Sequence, residues 1–340
     1  MKKLLMIAAM FLLVFTAAGC SQEEEKETGI KDLKVALALT GAINDGGWNQ
    51  RGYESLIAIQ AKYDAEIAYN ENTQPAQYNL VIRNYAKDGY NVIIANGTQF
   101  TDAVKEVAAE YPDIHFLVTS SDRTAKIGNG ENIAGVIGDG VEQGFLQGVA
   151  AAYLAKELGV TKVAGIGGTE IPAFKTTVEG YVLGAKYVDK NLDVLTAFTG
   201  SLDDANKMKE QAITFVQQGA GVVMSHANAA SRGGFEATQT LGKLSIAANA
   251  GTVAYNTYAK NLAASSNVNL SFAVLDVAGK VFEGTFEGTD YIYGVKEGIV
   301  TMSFSPSEPT IAKVKTKVEA IIADVKSGKI DIQKLYDESK

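Results

Sequence analysis

Short apolar runs alternate with longer amphipathic stretches along most of this chain, a rhythm that predicts βαβ units on parallel sheets. LKVALAL (33–39) reads as a strand and GWNQRGYESLIAIQAKY (47–63) as the helix returning from it. AEIAYN (65–70), YNVIIANG (90–97), IHFLVTS (114–120) and NIAGVIG (132–138) continue as strands, with QPAQYNLVIRNYAKDG (74–89) and TDAVKEVAAEYPD (101–113) as helices between them. The scheme then restarts. EQGFLQGVAAAYLAKELG (142–159) has its small and apolar residues at helical spacing, and KVAGIGG (162–168), LDVLTAFTG (192–200), GAGVVMSHAN (219–228) and KLSIAAN (243–249) supply a second set of strands. Two α/β halves in series predict two lobes. About 310 residues of body also exceed what one core usually holds. In open α/β sheets, ligands sit beyond the carboxyl ends of the strands, so the expected site is a cleft where the strand ends of the two halves face each other.

The first residues do not follow this rhythm. Lys2 and Lys3 precede an apolar run from Leu4 to Phe15 and then small residues ahead of Cys20, the layout of a secretory signal whose apolar run is too short to span a bilayer comfortably. Cys20 is the single cysteine among 340 residues, so no intramolecular disulfide can form. The following SQEEEKETGIKD has charge without apolar periodicity and reads as a tether. The formal net charge is −8, and removal of the leader with its two lysines makes the remainder more acidic. This argues against nucleic acid as a partner, because phosphate neutralisation needs clustered Lys and Arg.

GAINDGGWNQRGYES (41–55) places the only tryptophan, Trp48, in a polar glycine turn at a strand end. A core tryptophan would sit inside an apolar period. Trp48 instead follows two glycines at a helix start, where backbone N–H groups are exposed and a flat indole can stack on a planar ring. Asn44, Asp45 and Asn49 surround it with groups able to read a heterocycle edge or sugar hydroxyl. The alternative is that Asp45 caps the helix and Trp48 packs on the neighbouring loop. ANGTQFTDA (95–103) repeats the arrangement: Gly97 allows close backbone approach, while Phe100 either covers the other side of a ring or staples the helix to the core. Near later strand ends, GGTEIPAFKTTVEGY presents Glu170, Ile171 and Phe174, and SHANAASRGGFEA presents Asn228 and Arg232, with His226 turned inward or structural.

Enzyme chemistry finds no support. No H-E-x-x-H, P-loop, G-x-S-x-G or Cys–His pairing occurs, and GIGGTE lacks the full dinucleotide spacing. Asp203 and Asp204 lie at a helix start, where capping accounts for them. No catalytic residue, metal site or cofactor is expected.

AAGC at the leader's end, the acidic tether, VALALTGAINDGGWNQRGYESL and NVIIANGTQFTDAVKEVAAEYPDIHFLV together resemble the basic membrane protein family of ABC-transporter substrate-binding lipoproteins, whose best-understood members bind purine nucleosides. The resemblance continues through NIAGVIGDGVEQGFLQGVAAAYLAK and KVAGIGG. It implies a type I periplasmic-binding-protein fold, two Rossmann-like lobes joined by a hinge of three crossovers. Residues 1–19 would be the signal peptide and 20–31 the tether. Residues 32–142 and 268–300 would form the first lobe, and 143–267 and 301–340 the second, with LSFAVLDVAGKVFEG (270–284) a helix of the first. Cys20 would carry the lipid that anchors the protein on the outer face of the cell membrane. The ligand is expected to be a purine nucleoside or nucleobase-like small molecule, or in an alternative reading a non-purine ligand in the same transport role, held by Asn44, Asp45, Trp48, Asn49, Gly97, Phe100, Phe174, Asn228 and Asn249. Phe174 stands where the family has an opposing aromatic or apolar contact. The remaining expected partner is a permease, met as a monomer, or in an alternative reading a membrane protein to which a ligand sensor signals. Two positions depart from the family's ribose grip: Asn249 replaces an aspartate and Leu275 a lysine. That exchange predicts weaker reading of the sugar than of the base.

Overall fold

The computed structural model describes residues 29–45, 47–250, 252–305 and 309–340. The leader and Cys20 lie outside the described residues, as does most of the expected tether. Its last residues belong to the folded body, since the Ile30 amide donates to the Val281 carbonyl at 3.2 Å.

The first half of the chain builds β1 (Lys34–Ala38), α1 (Trp48–Tyr63), β2 (Glu66–Asn70), α2 (Tyr78–Lys87), β3 (Val92–Ala95), α3 (Thr101–Ala108), β4 (His115–Ser120) and β5 (Ile133–Gly138). The chain then passes through α4 (Gly140–Leu158) into β6 (Lys162–Gly167), α5 (Pro172–Val188), β7 (Asp193–Phe198), α6 (Ala205–Gln217), β8 (Val222–His226), α7 (Ser231–Thr240), β9 (Leu244–Ala248) and the short α8 (Thr252–Thr257). β10 (Leu262–Val268), α9 (Leu270–Glu283), β11 (Asp290–Tyr293), β12 (Val300–Phe304), α10 (Pro309–Lys326) and α11 (Ile332–Glu338) complete it. Among the described residues the strands form two six-stranded sheets, ordered β11-β5-β4-β3-β1-β2 and β12-β10-β9-β8-β6-β7. All pairings are parallel except β10 with β12. The central strands read as unbroken apolar runs because helices cover both faces: VIIA of β3 and IAGVIG of β5 are buried throughout.

The fold is therefore the expected pair of α/β lobes. β11 returns to the first sheet, and α9 packs on α1, whereas α10 and α11 pack on α4 in the second lobe. β10, β11 and β12 have no counterpart in the apolar pattern read from the sequence. LAASSNV is rich in Ala, Ser and Asn, and DYIY is four residues long.

α4 runs unusually close to α5. A Cβ on Gly144 would lie 1.9 Å from the Thr177 carbonyl oxygen, and one on Gly184 would lie 2.0 Å from that of Phe145. Small residues on both helices let the backbones meet directly, fixing the crossover helix to the second lobe.

Three crossings join the lobes, after β5, after β10 and between β11 and β12. They bond to one another and to the flanking loops: the Asp139 amide donates to Tyr293 O (2.9 Å) and the Asn269 amide to Ile299 O (2.9 Å). Asp139 is ion-paired with Arg123. Glu142 accepts from the Val295 amide at 2.6 Å, and burial, followed by the neighbouring Asp139 charge, pushes its carboxyl above the ordinary range.

Candidate functional site

A cavity of about 880 Å³ lies between the lobes and is lined from both. That size suits a ligand of a few hundred daltons. On the first lobe its wall begins at the α1 N-terminus. Asp45 gathers the helix start: its carboxylate accepts from the amides of Gly47 (2.8 Å), Asn49 (3.2 Å) and Gln50 (3.1 Å), and from Asn49 Nδ2 (2.9 Å). An anionic side chain at this end satisfies amides that the helix leaves unpaired. Asp45 thus lines the cavity while its oxygens serve the helix, as the capping alternative anticipated.

Trp48 is half-buried and faces the same cavity. Its indole N–H donates to Asn96 O at 3.2 Å, and Asn96 Nδ2 donates back to Trp48 O at 3.2 Å. The buried Thr119 hydroxyl holds Asn96 Oδ1 at 2.9 Å. The indole is consequently locked by its polar edge, leaving its apolar surface for packing and for the cavity. Gly97, next in sequence, has φ 138°, a conformation that L side chains rarely adopt.

Of the residues expected to bind ligand, Asp45, Trp48, Asn49, Gly97, Phe174, Asn228 and Asn249 line this cavity, whereas Asn44 and Phe100 do not. Asn44 points to solvent outside it. Phe100 is a correction: it is fully buried in the core cluster behind β3, its ring centroid 4.1 Å from that of Tyr78. The short turn Thr98–Phe100 carries it away from the cleft, so the stapling alternative describes it. Asn249 also differs from the expected role. It adopts φ 58°, and its side-chain oxygen accepts from the Val268 amide at 2.8 Å, pinning the hinge strand instead of presenting an acceptor to ligand. Leu275, on α9, packs against the core and is not part of the wall.

The second lobe contributes Phe174 and His226, whose ring centroids are 5.0 Å apart. His226 Nδ1 has no hydrogen-bond partner among the described residues. Burial, and secondarily the Arg51 charge, lowers its pKa from 6.5 to about 4, so the ring is neutral at physiological pH.

Several wall residues were missed by the sequence reading, chief among them Arg51, with Gln143 and Tyr258. Arg51 was findable in principle: it stands three residues beyond Trp48, on the same face of one helix. It reaches across the cleft, donating from Nη2 to Asn249 O in the second lobe at 2.6 Å.

Two α/β lobes joined by three crossings, with a cavity walled by both, have the architecture of a two-lobed solute-binding protein. The chain belongs to the Bmp family, described as ABC transporter substrate-binding proteins, PnrA-like, which matches residues 32–336. It is accordingly a substrate-binding protein and not an enzyme. Among curated relatives, it is 27% identical over 307 residues to the transcriptional activator protein Med of Bacillus subtilis, covering 89% of this chain and 90% of that one. It is 25% identical over 330 residues to a purine-binding protein of Brucella abortus, covering 93% and 86%. An ABC-transporter solute-binding protein from Conexibacter woesei shares the fold with TM-score 0.70 at 23% identity, covering 88% of this chain and 98% of its own.

Proposed function

We propose that this protein captures a purine nucleoside or purine base in the interlobe cavity and delivers it to an ABC permease. The observation that carries the reading is the pairing of Trp48 from one lobe with Phe174 from the other on a single cavity. A planar ring between two aromatics gains stacking and apolar burial at once. The purine-binding name of the Brucella relative supports the ligand class. Closure follows from the geometry: contacts such as Arg51 to Asn249 O exist only when the lobes are together, so a ligand touching both walls favours the closed state by its differential affinity. The permease would recognise that closed shape.

Anchoring is part of the proposal. A lipid on Cys20 would hold the receptor at the outer membrane face and raise its local concentration near the permease. Among the described residues no helix is long and apolar enough to cross a membrane. Cys20→Ala should abolish incorporation of a tagged fatty acid; persistent label on the variant would remove the anchor. The receptor would act as a monomer.

A sensing role is the second reading, favoured by the similarity to the transcriptional activator. It would use the same cavity, and an adjacent permease and ATPase gene would argue for transport. Native mass spectrometry of protein purified without refolding tests the ligand class. A co-purified purine is the expected result; a different small molecule, together with no calorimetric binding of purine bases or nucleosides, would sink the purine reading.

A further inference from the structure

Arg51 holds a guanidinium in the cavity wall without an ion-pair partner among the described residues. Glu54 and Asp45 are near enough to be felt, yet neither accepts from it. Asp45 is committed to the helix start, and Glu54, exposed at the rim, accepts from Gln50 Nε2 at 2.9 Å. A guanidinium carries five N–H donors and no acceptor, and one of them serves Asn249 O. Gln143, 1% exposed and lining the same cavity, adds an amide nitrogen without a partner. Arg51 and Gln143 thus each leave N–H donors unspent on the cavity, and such donors call for acceptors on the ligand edge that meets them.

Trp48 and Arg51 occupy successive turns on one face of α1. A ring stacked on the indole presents its edge to the next turn, where the guanidinium stands. Purines differ at that edge. A 6-oxopurine offers O6 and N7, two adjacent acceptors, whereas a 6-aminopurine offers an N6 donor beside N7. A planar donor fork matches the first pair at both points and meets the second with donor against donor.

Resting on the purine reading above, we propose that Arg51 makes this cleft selective for 6-oxopurines over 6-aminopurines, through a two-point contact from its guanidinium to O6 and N7 of a base stacked on Trp48.

The test is calorimetric titration of the full chain with inosine, guanosine and adenosine, and with hypoxanthine and adenine, at fixed salt. Inosine and guanosine should bind about tenfold or more tighter than adenosine, as expected for a bidentate base contact. Arg51→Met should shrink that ratio to about threefold or less; because losing the Asn249 contact weakens closure on every ligand, the ratio and not the absolute affinity is the readout. Arg51→Lys, which keeps charge without the fork, should retain part of the ratio. One measurement needs no variant: 7-deazainosine, lacking the N7 acceptor, should bind the unaltered protein about tenfold more weakly than inosine. Adenosine binding as tightly as inosine would overturn the selectivity and leave the purine reading standing. An undiminished ratio in Arg51→Met would overturn the role of Arg51. Failure of every purine to bind would withdraw both.

Discussion

The two walls of the cleft are built from different chemistry. The first-lobe wall runs through Thr40, Asp45, Trp48, Asn49, Arg51, Thr98, Thr119 and Ser120, polar groups around one aromatic. The second-lobe wall carries more apolar surface, with Ile171, Ala173, Phe174, Leu202, Ala227 and Phe235 beside His226, kept neutral by burial, and with Asn228, Arg232 and Tyr258 as its polar groups. Polar groups are held in fixed positions on the first wall by the Asp45 cap and the Asn96–Thr119 network. On the function proposed above, the difference implies a division of labour: the first wall would orient a ligand through hydrogen bonds, and the second would close over it and exclude water, which strengthens the bonds beneath.

The largest expected effect separates wall from core. Phe100→Ala should cost about 3–5 kcal/mol of folding stability while leaving the ligand affinity of the folded protein within about threefold, a change of less than ~1 kcal/mol. Urea unfolding and calorimetry on the same preparation check it. A large affinity loss in well-folded variant would restore Phe100 to the binding surface.

Next in size is the pH response of the apolar wall. His226 has its folded pKa lowered from 6.5 to about 4. Above pH 6.5 the ring is neutral folded or unfolded. As pH falls from there toward 4, the unfolded chain takes up a proton that the folded chain refuses, so stability is lost on acidification, by about 3 kcal/mol from this group. Glu142, pushed upward, contributes in the opposite sense, gaining stability as pH falls from neutrality. The difference between wild type and His226→Gln in unfolding free energy against pH isolates the histidine. Identical slopes for the two proteins would contradict the neutral, buried ring.

The two aromatics compare the walls directly. Trp48→Ala should weaken binding by about 1–3 kcal/mol, the range for base-stacking residues, and Phe174→Ala by about 0.5–1.5 kcal/mol, since its ring also leans on His226. Equal losses would mean that the second wall reads the ligand as closely as the first. Because Trp48 is the only tryptophan, its fluorescence reports occupancy in every variant that retains it. The smallest effect falls outside both walls: Asn44→Ala should change stability and affinity by no more than about 0.5 kcal/mol, measurable by the same titrations.

Much of this layout was legible in order of residues. Strands such as VIIA and IAGVIG announced themselves because both of their faces are buried, and Trp48 stood out because a polar glycine turn gives an indole no core period to join. Phe100 was ambiguous for a definite reason: an aromatic one turn past a strand end can swing to either side, and the turn Thr98–Phe100 settles the direction. β10 went unread because LAASSNV, a strand largely of Ala, Ser and Asn, is stabilised by its ladder neighbours, not by local preference.

What the sequence determined by itself was the succession of α/β units, the two-lobe division and the turn that positions Trp48, since periodicity, caps and glycine turns act over a few residues. Tertiary structure alone decided that Arg51 reaches Asn249 across 198 positions of sequence and that Asn249 pins a hinge strand. Those outcomes depend on which surfaces meet once both sheets have formed, and burial and hydrogen-bond pairing between distant segments leave no local trace in the order of residues.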